Sequence, residues 1–283
     1  MTTGPEPPAA PALSISIVVY RPEPETLRST LHSLPLALEH ARSAGVIGEA
    51  TVVVVDNGSV DEPSLDALVA ETLGRSDWLG WSLMRGQGNV GYGRGHNLAI
   101  ERAAAPYHLV LNPDVVLDPP AIAEAVRYLE GHAECGLVTP RVVNGAGDRE
   151  YLCKRYPSVL VLALRGFAPA WLRRPFRHRL EWYEMRDLPG AALTTGIPIA
   201  TGCFMLVRGD MLRRLGGFSP DFFLYFEDFD LSLRLRQLAD IAYVPQVRIV
   251  HVGGYASAKG WAHRRMFIRS AATFFRRHGW KFW

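Results

Sequence analysis

Residues 51–59 read TVVVVDNGS, and this stretch decides the fold. Four consecutive valines are typical of a strand that is buried on both faces of a sheet. Asn57-Gly58 is a strong turn signal, and the apolar residues at 65, 68, 69 and 73 then recur with helical spacing. The stretch therefore predicts a strand, a turn and a helix, with Asp56 at the carboxyl end of the strand.

The same pattern repeats on both sides of this unit. Residues 14–20 (SISIVVY) predict a strand, and the leucines at 27, 31, 34 and 38 predict a helix that lasts until Gly45. Strands are predicted at 81–84, 108–111 and 136–142, and helices at 92–105, at 120–131, from Gly209 and from about Glu227. Residues 199–207 are predicted to be ordered, without an assigned element type. This alternation predicts an α/β fold with a Rossmann-like, mostly parallel sheet that binds ligands beyond the carboxyl ends of its strands.

The charge of the chain is unevenly distributed. The 283 residues carry a net charge of +3, but the residues after Asp240 include eight basic and no acidic side chains. Residues 151–180 add seven basic side chains and no carboxylate, so the rest of the chain carries −12. Four prolines in and near this segment leave it without a clear structural prediction. This asymmetry predicts an anionic partner: a phosphate-bearing ligand, an acidic membrane surface or nucleic acid. The acidic remainder argues against a broad nucleic-acid footprint, so we expect no nucleic acid as a partner.

Cysteine use and the first residues bear on location. Three widely spaced cysteines without a C-x-x-C pair fit a reducing cytoplasm better than a disulfide framework or a zinc ribbon. Residues 1–12 are rich in proline and lack a signal region, so we expect a disordered leader. No apolar run approaches the ~20 residues that cross a bilayer. The tail from Arg264 interleaves arginines with aromatic residues, which fits either an interfacial helix on an anionic membrane or a terminal helix packed on the sheet.

A glycine pattern after the third predicted strand matches a dinucleotide-binding fingerprint. Gly86, Gly88 and Gly91 have the G-x-G-x-x-G spacing. That fingerprint normally marks the first strand-helix turn of its unit, whereas two such units precede this one. The context therefore argues against hydride transfer, and the glycines also suit simple turns.

Polar residues follow two of the predicted strands. A carboxylate at Asp56 can bind a nucleobase edge or a ribose, and the alternative is a turn that caps the next helix. Asn112 and Asp114 flank a proline after the strand at 108–111, where a carboxylate suits a divalent cation that bridges a substrate diphosphate. Turn chemistry is the alternative there too. His251 follows an apolar stretch and is either structural or a second ligand of the same metal.

The strongest chemical signal is three carboxylates in an aromatic segment. Glu227, Asp228 and Asp230 lie within YFEDFD. Burial raises the pKa of a carboxyl group, which suits a general base. A helix that begins near Glu227 would place all three acids in its first turn, so one or two are structural on the alternative interpretation. Asp230 and Arg234 have the spacing of an ion pair on one helix face.

Taken in order, these segments resemble the inverting family 2 glycosyltransferases of the GT-A fold, and specifically their bacterial rhamnosyltransferase-like branch. The resemblance extends from Ser14 to about His278 and rests on SISIVVY, VVVVDNGS, GNVGYGRGHN, LVLNPDVVLDP, the block at 200–236 and HVGG. It implies a GT-A domain at 13–260, with a nucleotide-binding half at 13–145 and an acceptor-side half at 146–260, followed by a basic aromatic helix at 261–283. Asn112 stands where the family has the first of two acids, which leaves Asp114 as the main metal ligand.

The resemblance also implies roles for individual residues. Asp228 would be the catalytic base beside Glu227, and Asp114 with His251 would hold Mg²⁺ or Mn²⁺. Gly202, Arg264 and Arg265 would contact substrate, the two arginines stabilising the leaving diphosphate. The implied nucleotide contacts are Tyr20, Asp56, Asn89, Gly91, Asn97 and Asn112.

The function that follows is inverting transfer of a sugar from a nucleotide-sugar donor. The resemblance favours L-rhamnose from dTDP-L-rhamnose, moved to a glycan or lipid-linked acceptor in the assembly of bacterial cell-surface polysaccharide. We expect a cytoplasmic protein, with a peripheral position at the inner face of the cell membrane as an open question. A nucleotidyltransferase and a non-catalytic sugar-nucleotide binder are the alternatives. The first would need a glycine-rich phosphate loop after the first strand, where this chain has Tyr20-Arg21-Pro22.

Overall fold

One large sheet organises the chain in the computed structural model, which describes residues 10–58, 62–74, 76–253 and 261–283. Its strands, with two short ones that pair separately, are β1 Leu13–Val19, β2 Ala50–Asp56, β3 Leu79–Met84, β4 Tyr107–Leu111, β5 Val115–Leu117, β6 Cys135–Asn144, β7 Arg149–Glu150, β8 Cys153–Lys154, β9 Ile199–Ala200, β10 Phe204–Arg208 and β11 Asp240–His251. The helices are α1 Pro24–Ser43, α2 Glu62–Leu73, α3 Tyr92–Ile100, α4 Ala121–Gly131, α5 Val159–Phe167, α6 Ala170–Arg173, α7 Arg177–Tyr183, α8 Gly209–Arg214, α9 Glu227–Leu235 and α10 Trp261–His278, with a 3₁₀ turn at Arg174–Phe176.

The strand order is β3-β2-β1-β4-β10-β6-β11-β5, and β7 pairs with β6. The first four strands are parallel to one another, β10 is antiparallel to β4 and β6, and β6 is parallel to β11. The carboxyl ends of β2, β4 and β11 therefore lie at the same edge of the sheet, where Asp56, Asn112 and His251 follow or end them. The expected α/β class with a mostly parallel sheet is confirmed.

Both faces of the sheet are covered, as the valine-rich strands predict. Alternate residues of β1, such as Ile15 and Ile17, pack in one large core with the helix-spaced leucines of α1. On the opposite face Ser14 and Ser16 bond to two buried histidines. His108 Nδ1 lies 2.7 Å from Ser14 Oγ, and His96 Nδ1 lies 2.7 Å from Ser16 Oγ. Burial lowers the pKa of His108 to about 3, so this polar layer contains neutral imidazole.

Three parts of the chain differ from the predictions or lacked one. The stretch at 199–207, predicted only to be ordered, forms two strands, β9 and β10, separated where the Gly202 amide donates a hydrogen bond to Asp228. The helix at 92–105 ends at Ile100, where the hydrogen bonds from Arg102 to Ala99 and from Ala103 to Ile100 span three residues instead of four. The proline-rich basic segment, which lacked a clear prediction, forms the short helices α5, α6 and α7.

The C-terminal helix packs on the body of the protein. Phe274 and Phe275 of α10 are buried in an aromatic cluster with Phe222 and Phe226. The helix therefore packs by one face against α5 and the start of α9, not on the sheet, and leaves its exposed arginines outside the core. Within the described residues, no helix is both long enough and apolar enough to cross a bilayer. Residues 1–9 of the expected leader lie outside the described residues.

Candidate active site

The first group of site residues surrounds Asp56. Its side chain is buried, Oδ1 accepts a hydrogen bond from the Gly58 amide at 3.0 Å, and Oδ2 lies 3.9 Å from Nε of Arg85. Gln87 donates from its amide nitrogen to the main-chain oxygen of Asp56 at 2.7 Å. The half-exposed Tyr20 ring lies beside Gly58. Asp56 and Tyr20 are thus brought together, and Arg85 joins them although sequence reasoning did not select it.

Gly91 is required by the backbone at the start of α3. Its φ is +91°, and a Cβ there would lie 2.3 Å from the main-chain oxygen of Phe223. The side chain of Asn89 accepts a hydrogen bond from the Gly91 amide at 3.1 Å, and Asn57 donates to the Gly91 oxygen at 2.9 Å. These contacts shape the loop that faces the end of β2.

Asn97 has a clear structural role. Its amide nitrogen donates to the oxygen of Phe218 at 2.8 Å, and its amide oxygen accepts from the Phe218 nitrogen at 2.8 Å. Both ends of the side chain therefore hold the loop before α9. Asn97 is therefore a positioning residue and not a donor contact.

The Tyr92 hydroxyl connects the loop that holds Asn112 to the main chain at Gly202. It lies 2.7 Å from the Gly202 oxygen and 3.0 Å from Oδ1 of Asn112. Burial raises the pKa of Tyr92, and the nearby charges of Glu227 and Asp228 raise it further, so the group stays a neutral donor. Tyr92 was not predicted to be a site residue from the sequence. The available signal was its position directly after Gly91, at the first residue of a helix that points into the site.

Asp114 and His251 meet at the end of β11. His251 Nε2 lies 3.5 Å from Oδ1 of Asp114, and its Nδ1 lies 2.9 Å from Oε2 of Glu150. Burial lowers the pKa of His251, but the combined effect of the two carboxylates outweighs burial and raises it to about 9. Sequence reasoning missed Glu150, which is 101 residues from its partner. A carboxylate on the far nitrogen of a histidine is the arrangement that orients metal-ligating imidazoles.

The surroundings of Asp114 suit a bound cation. Its Oδ1 is buried and has no hydrogen-bond partner among the described residues. A Cβ on Gly253 would lie 1.7 Å from Oδ2 of Asp114, so only glycine leaves room for the carboxylate. Hard divalent cations take oxygen ligands and complete their shell with water or phosphate. Within the described residues no group of three or more potential ligands forms a complete metal site, so Asp114 and His251 would supply part of the shell.

Glu227 and Asp228 begin α9 after two residues, Tyr225 and Phe226, with positive φ. Asp228 Oδ2 accepts from the Gly202 amide and Oδ1 from the Phe229 amide, both at 2.9 Å. Burial raises the pKa of Asp228 to about 6 although these donors lower it. Burial and then the charge of Asp228 raise the pKa of Glu227 to about 8. The two carboxyl groups therefore titrate as one coupled pair, in which burial and mutual repulsion disfavour ionisation of both at once.

A cavity of about 510 Å³ opens beside this pair. Its charged lining, apart from the two acids, is Lys154, Arg165 and Arg264, and its apolar lining includes Phe167 and Phe267. Lys154 is buried, and burial lowers its pKa to about 8. Arg264 therefore lines the cavity beside Asp228. The structure shows Arg265 only as an exposed residue of α10.

The predicted ion pair in α9 is confirmed, and its context is larger than expected. Asp230 is fully buried and accepts from Nε of Arg234 at 2.8 Å. Its other oxygen lies 2.8 Å from Nε2 of His278 and 3.3 Å from Nε of Arg277, both on α10. Asp230 thus joins α9 to the C-terminal helix and has a structural role.

Comparison with known proteins decides the family. The model of Glycosyl transferase family 2 matches residues 14–216. The chain belongs to glycosyl transferase family 2. Membership confirms a glycosyltransferase and argues against the nucleotidyltransferase alternative. Glu227 and Asp228 lie beyond the matched residues.

Relatives of this family 2 chain carry rhamnosyltransferase names. It is 27% identical over 286 residues to N-acetylglucosaminyl-diphospho-decaprenol L-rhamnosyltransferase of Mycobacterium tuberculosis, covering 95% of this chain and 86% of the relative. It is 25% identical over 174 residues to rhamnosyltransferase WbbL of Escherichia coli K12, covering 58% of this chain and 61% of the relative.

Solved glycosyltransferase structures share the fold. The crystal structure of GalNAc-T7 with UDP, GalNAc and Mn²⁺ has a TM-score of 0.61 at 15% identity, over 86% of this chain and 43% of that one. The structure of S. aureus TarS 1-349 in complex with UDP-GlcNAc has a TM-score of 0.58 at 15% identity, over 93% and 66%. The expected GT-A type of fold is confirmed.

Proposed function

We propose that this family 2 glycosyltransferase moves L-rhamnose from dTDP-L-rhamnose to a lipid-linked glycan acceptor, with inversion at the anomeric carbon, in the assembly of bacterial cell-surface polysaccharide. The observation that carries the proposal is the connection of Asp228, through Gly202 and Tyr92, to the Asn112 and Asp114 loop. This connection joins a base, a metal ligand and a substrate cavity in one site.

Asp228 acts as the general base. Its pKa of about 6 leaves it ionised near neutral pH while it remains basic enough to accept a proton from an acceptor hydroxyl. The hydroxyl oxygen attacks the anomeric carbon, the bond to the diphosphate breaks, and the proton goes to the Asp228 carboxylate. Glu227 Oε2 and Thr201 Oγ1 are buried without hydrogen-bond partners among the described residues, so both are placed to bind acceptor hydroxyls.

Asp114 and His251 would hold a divalent cation. Bound Mg²⁺ or Mn²⁺ would neutralise charge on the leaving nucleoside diphosphate. Glu150 fixes the ring of His251, and the Asn112 side chain accepts from Tyr92, so the loop is oriented from both sides. The GalNAc-T7 structure, which contains UDP and Mn²⁺, supports a metal in this type of fold.

The donor nucleotide binds at the Asp56 end of the site. Asp56 accepts hydrogen bonds from the base, and Tyr20 packs against it. Arg85, whose Nε and Nη2 are buried without hydrogen-bond partners among the described residues, adds two donors at the same place. Rhamnose as the transferred sugar and a lipid diphosphate as part of the acceptor are supported by the name of the mycobacterial relative.

A panel of nucleotide sugars, assayed for transfer with Mg²⁺ and with Mn²⁺, tests the donor. We expect turnover with dTDP-L-rhamnose above that with UDP-glucose, UDP-GlcNAc and other dTDP-deoxysugars, and loss of donor binding in Asp114→Ala. A UDP-sugar used better than dTDP-L-rhamnose would contradict the donor assignment. Equal donor affinity of Asp114→Ala and wild type, with and without metal, would contradict the ligand role.

Asp228→Asn tests the base. General-base removal lowers kcat by about 10²–10⁴-fold, with donor binding retained. In the wild type kcat/KM should rise with pH through about 6, since only the ionised Asp228 accepts the proton. Asp77→Asn removes an exposed carboxylate and serves as the matched control. Normal turnover by Asp228→Asn would remove the assignment.

A further inference from the structure

Two segments of the chain expose an unusual amount of aromatic surface. Within the described residues fourteen large apolar side chains are exposed, and nine of them lie in residues 159–183 and 261–283, about a sixth of the chain. Five of the seven tryptophans are in these segments, and all five are exposed: Trp171, Trp182, Trp261, Trp280 and Trp283. Single exposed apolar residues are ordinary, but a clustered set marks an interaction surface.

The same segments carry an excess of positive charge. Residues 151–187 contain eight basic and three acidic side chains, and residues 261–283 contain six basic and none acidic. The three acids are already paired, Glu181 with Arg177, Glu184 with Arg165 and Arg186, and Asp187 with Arg155. The basic residues without an ion pair to a described residue are Lys154, which is buried, and Arg173, Arg174, Arg179, Arg264, Arg265, Arg269, Arg276 and Lys281. The surface is therefore cationic as well as aromatic.

Contacts between the segments make one continuous surface. The main chain at Val159, the first residue of α5, donates to the oxygen of Lys281 at 2.7 Å, and the Arg179 guanidinium lies 4.4 Å from the Trp283 ring centroid. Lys281 lies 5.4 Å from the centroid of Trp182. At the other end of α5, Phe167 contacts Phe267 of α10 with 6.5 Å between ring centroids. We name the exposed residues of α5–α7, α10 and residues 279–283 the aromatic-basic surface.

The substrate cavity opens at this surface. Phe167, from the end of α5, and Arg264, from α10, line the cavity together with Asp228. The Arg264 guanidinium lies 6.0 Å from the centroid of the Phe167 ring, at the junction of the two elements. Beyond Phe167 the chain continues into α6, whose Trp171 is 73% exposed and is followed by Leu172, Arg173 and Arg174. The exposed apolar residues Trp171 and Leu172, followed by two arginines, therefore lie a few residues along the chain from Phe167, which lines the cavity.

We infer that the aromatic-basic surface docks on a bilayer that contains anionic phospholipids, with the substrate cavity facing a lipid-linked acceptor. Tryptophan is enriched at membrane interfaces, where its ring lies at the level of the headgroups. Lysine and arginine are attracted to anionic headgroups. The lipid-linked acceptor in this inference rests on the proposed function, but binding of the protein to vesicles requires neither donor nor acceptor.

Co-sedimentation with vesicles tests the docking. We expect the protein to pellet with vesicles of phosphatidylcholine and phosphatidylglycerol, much less with phosphatidylcholine alone, and less as salt rises. Arg173→Ser/Arg174→Ser should weaken binding by about 25-fold, since each charge near an anionic surface contributes about fivefold. Trp171→Ser/Leu172→Ser should also weaken it. Arg102→Ser/Arg214→Ser removes two exposed charges outside the surface and should leave binding unchanged.

Transfer assays separate this inference from the proposed function. The Arg173→Ser/Arg174→Ser variant should transfer sugar at the wild-type rate to a water-soluble acceptor analogue and more slowly to a lipid-linked acceptor in anionic vesicles. Thermal unfolding of each variant should match the wild type. Equal pelleting with neutral and anionic vesicles, or equal weakening by the control pair, would overturn the docking. Pelleting without vesicles would show self-association and would overturn it as well. Vesicle binding without any sugar transfer would leave the docking standing and reject the proposed function.

Discussion

Gly253→Ala is the substitution that most directly tests the geometry around Asp114. The added Cβ would lie 1.7 Å from Oδ2 and 2.6 Å from Cγ of Asp114. Non-bonded Cβ contacts below 3.0 Å are essentially absent from real structures, so the carboxylate must move by more than 1 Å. Because His251 is 3.5 Å from Oδ1 of the same carboxylate, the movement separates the two proposed ligands.

The expected effect is a loss of activity with little loss of stability. A displacement of about 1 Å in a catalytic arrangement lowers the rate by about 10²-fold, equivalent to about 2.7 kcal/mol in the barrier. Gly253 is half-buried in a loop after β11, and its φ lies outside the left-handed region, so alanine fits its backbone. We therefore expect kcat/KM to fall about 100-fold and the half-saturating concentration of Mg²⁺ or Mn²⁺ to rise.

Initial rates of sugar transfer, measured against metal concentration, provide the assay. Gly145→Ala is the matched control, since nothing lies within 4 Å of a Cβ at that position. Its activity and metal dependence should equal those of the wild type. Unchanged metal dependence in Gly253→Ala, in a protein that unfolds at the wild-type temperature, would refute the proposed position of the ligand.

Three further changes test other parts of the structure. Burial holds the pKa of His108 at about 3, whereas its pKa in the unfolded chain is about 6.5. Between these two values only the unfolded state binds a proton on His108, so the free energy of unfolding falls as pH falls from about 6.5 to 3, by at most about 5 kcal/mol. His108→Gln should flatten the dependence of the unfolding free energy on pH, measured with urea from pH 7 to 4, and an equal slope in both proteins would contradict the neutral buried imidazole. Asp230→Ala should cost about 3–5 kcal/mol, because it removes the buried carboxylate that pairs with the half-buried Arg234. Asp221→Ala removes an exposed carboxylate and should cost under about 1 kcal/mol in the same urea titration, so similar losses would argue against the link between α9 and α10. Tyr92→Phe removes the hydroxyl between the loops and should lower kcat about tenfold or more, since a buried acceptor left unpaired costs about 1–3 kcal/mol. Tyr128→Phe removes a buried hydroxyl without a hydrogen-bond partner among the described residues and should leave kcat unchanged, so equal kinetics of the two variants would exclude a positioning role for Tyr92.

Much of the fold was predictable because its signals are local. The valines of β2 and the leucine spacing of α1 specify their elements without knowledge of the rest of the chain, and both elements have the predicted position and type. The break between β9 and β10 was not predictable. It depends on the hydrogen bond from Gly202 to Asp228, 26 residues away.

The residues of the candidate site also divide into those with a local sequence signal and those without one. Asp56 and Asp114 could be selected from the sequence, because each lies at or just after the end of a buried strand, which is a local signal. Glu150 and Tyr92 were missed, since each acts through a partner about a hundred residues distant, His251 in one case and Gly202 in the other. Such pairs come together only when the strand order is known.

By itself, the sequence determined the α/β class, the strand ends that carry the site, and the clustering of acids and bases into separate segments. These properties follow from hydrophobic period, turn chemistry and charge, which adjacent residues express. Only the tertiary structure decided that Asp228 and Glu227 share a buried cavity wall and that Asp230 is structural. It also decided that α10 packs by one face and leaves the aromatic-basic surface exposed. Burial and the pKa values that it shifts depend on contacts between residues far apart in the chain, and no local pattern encodes them.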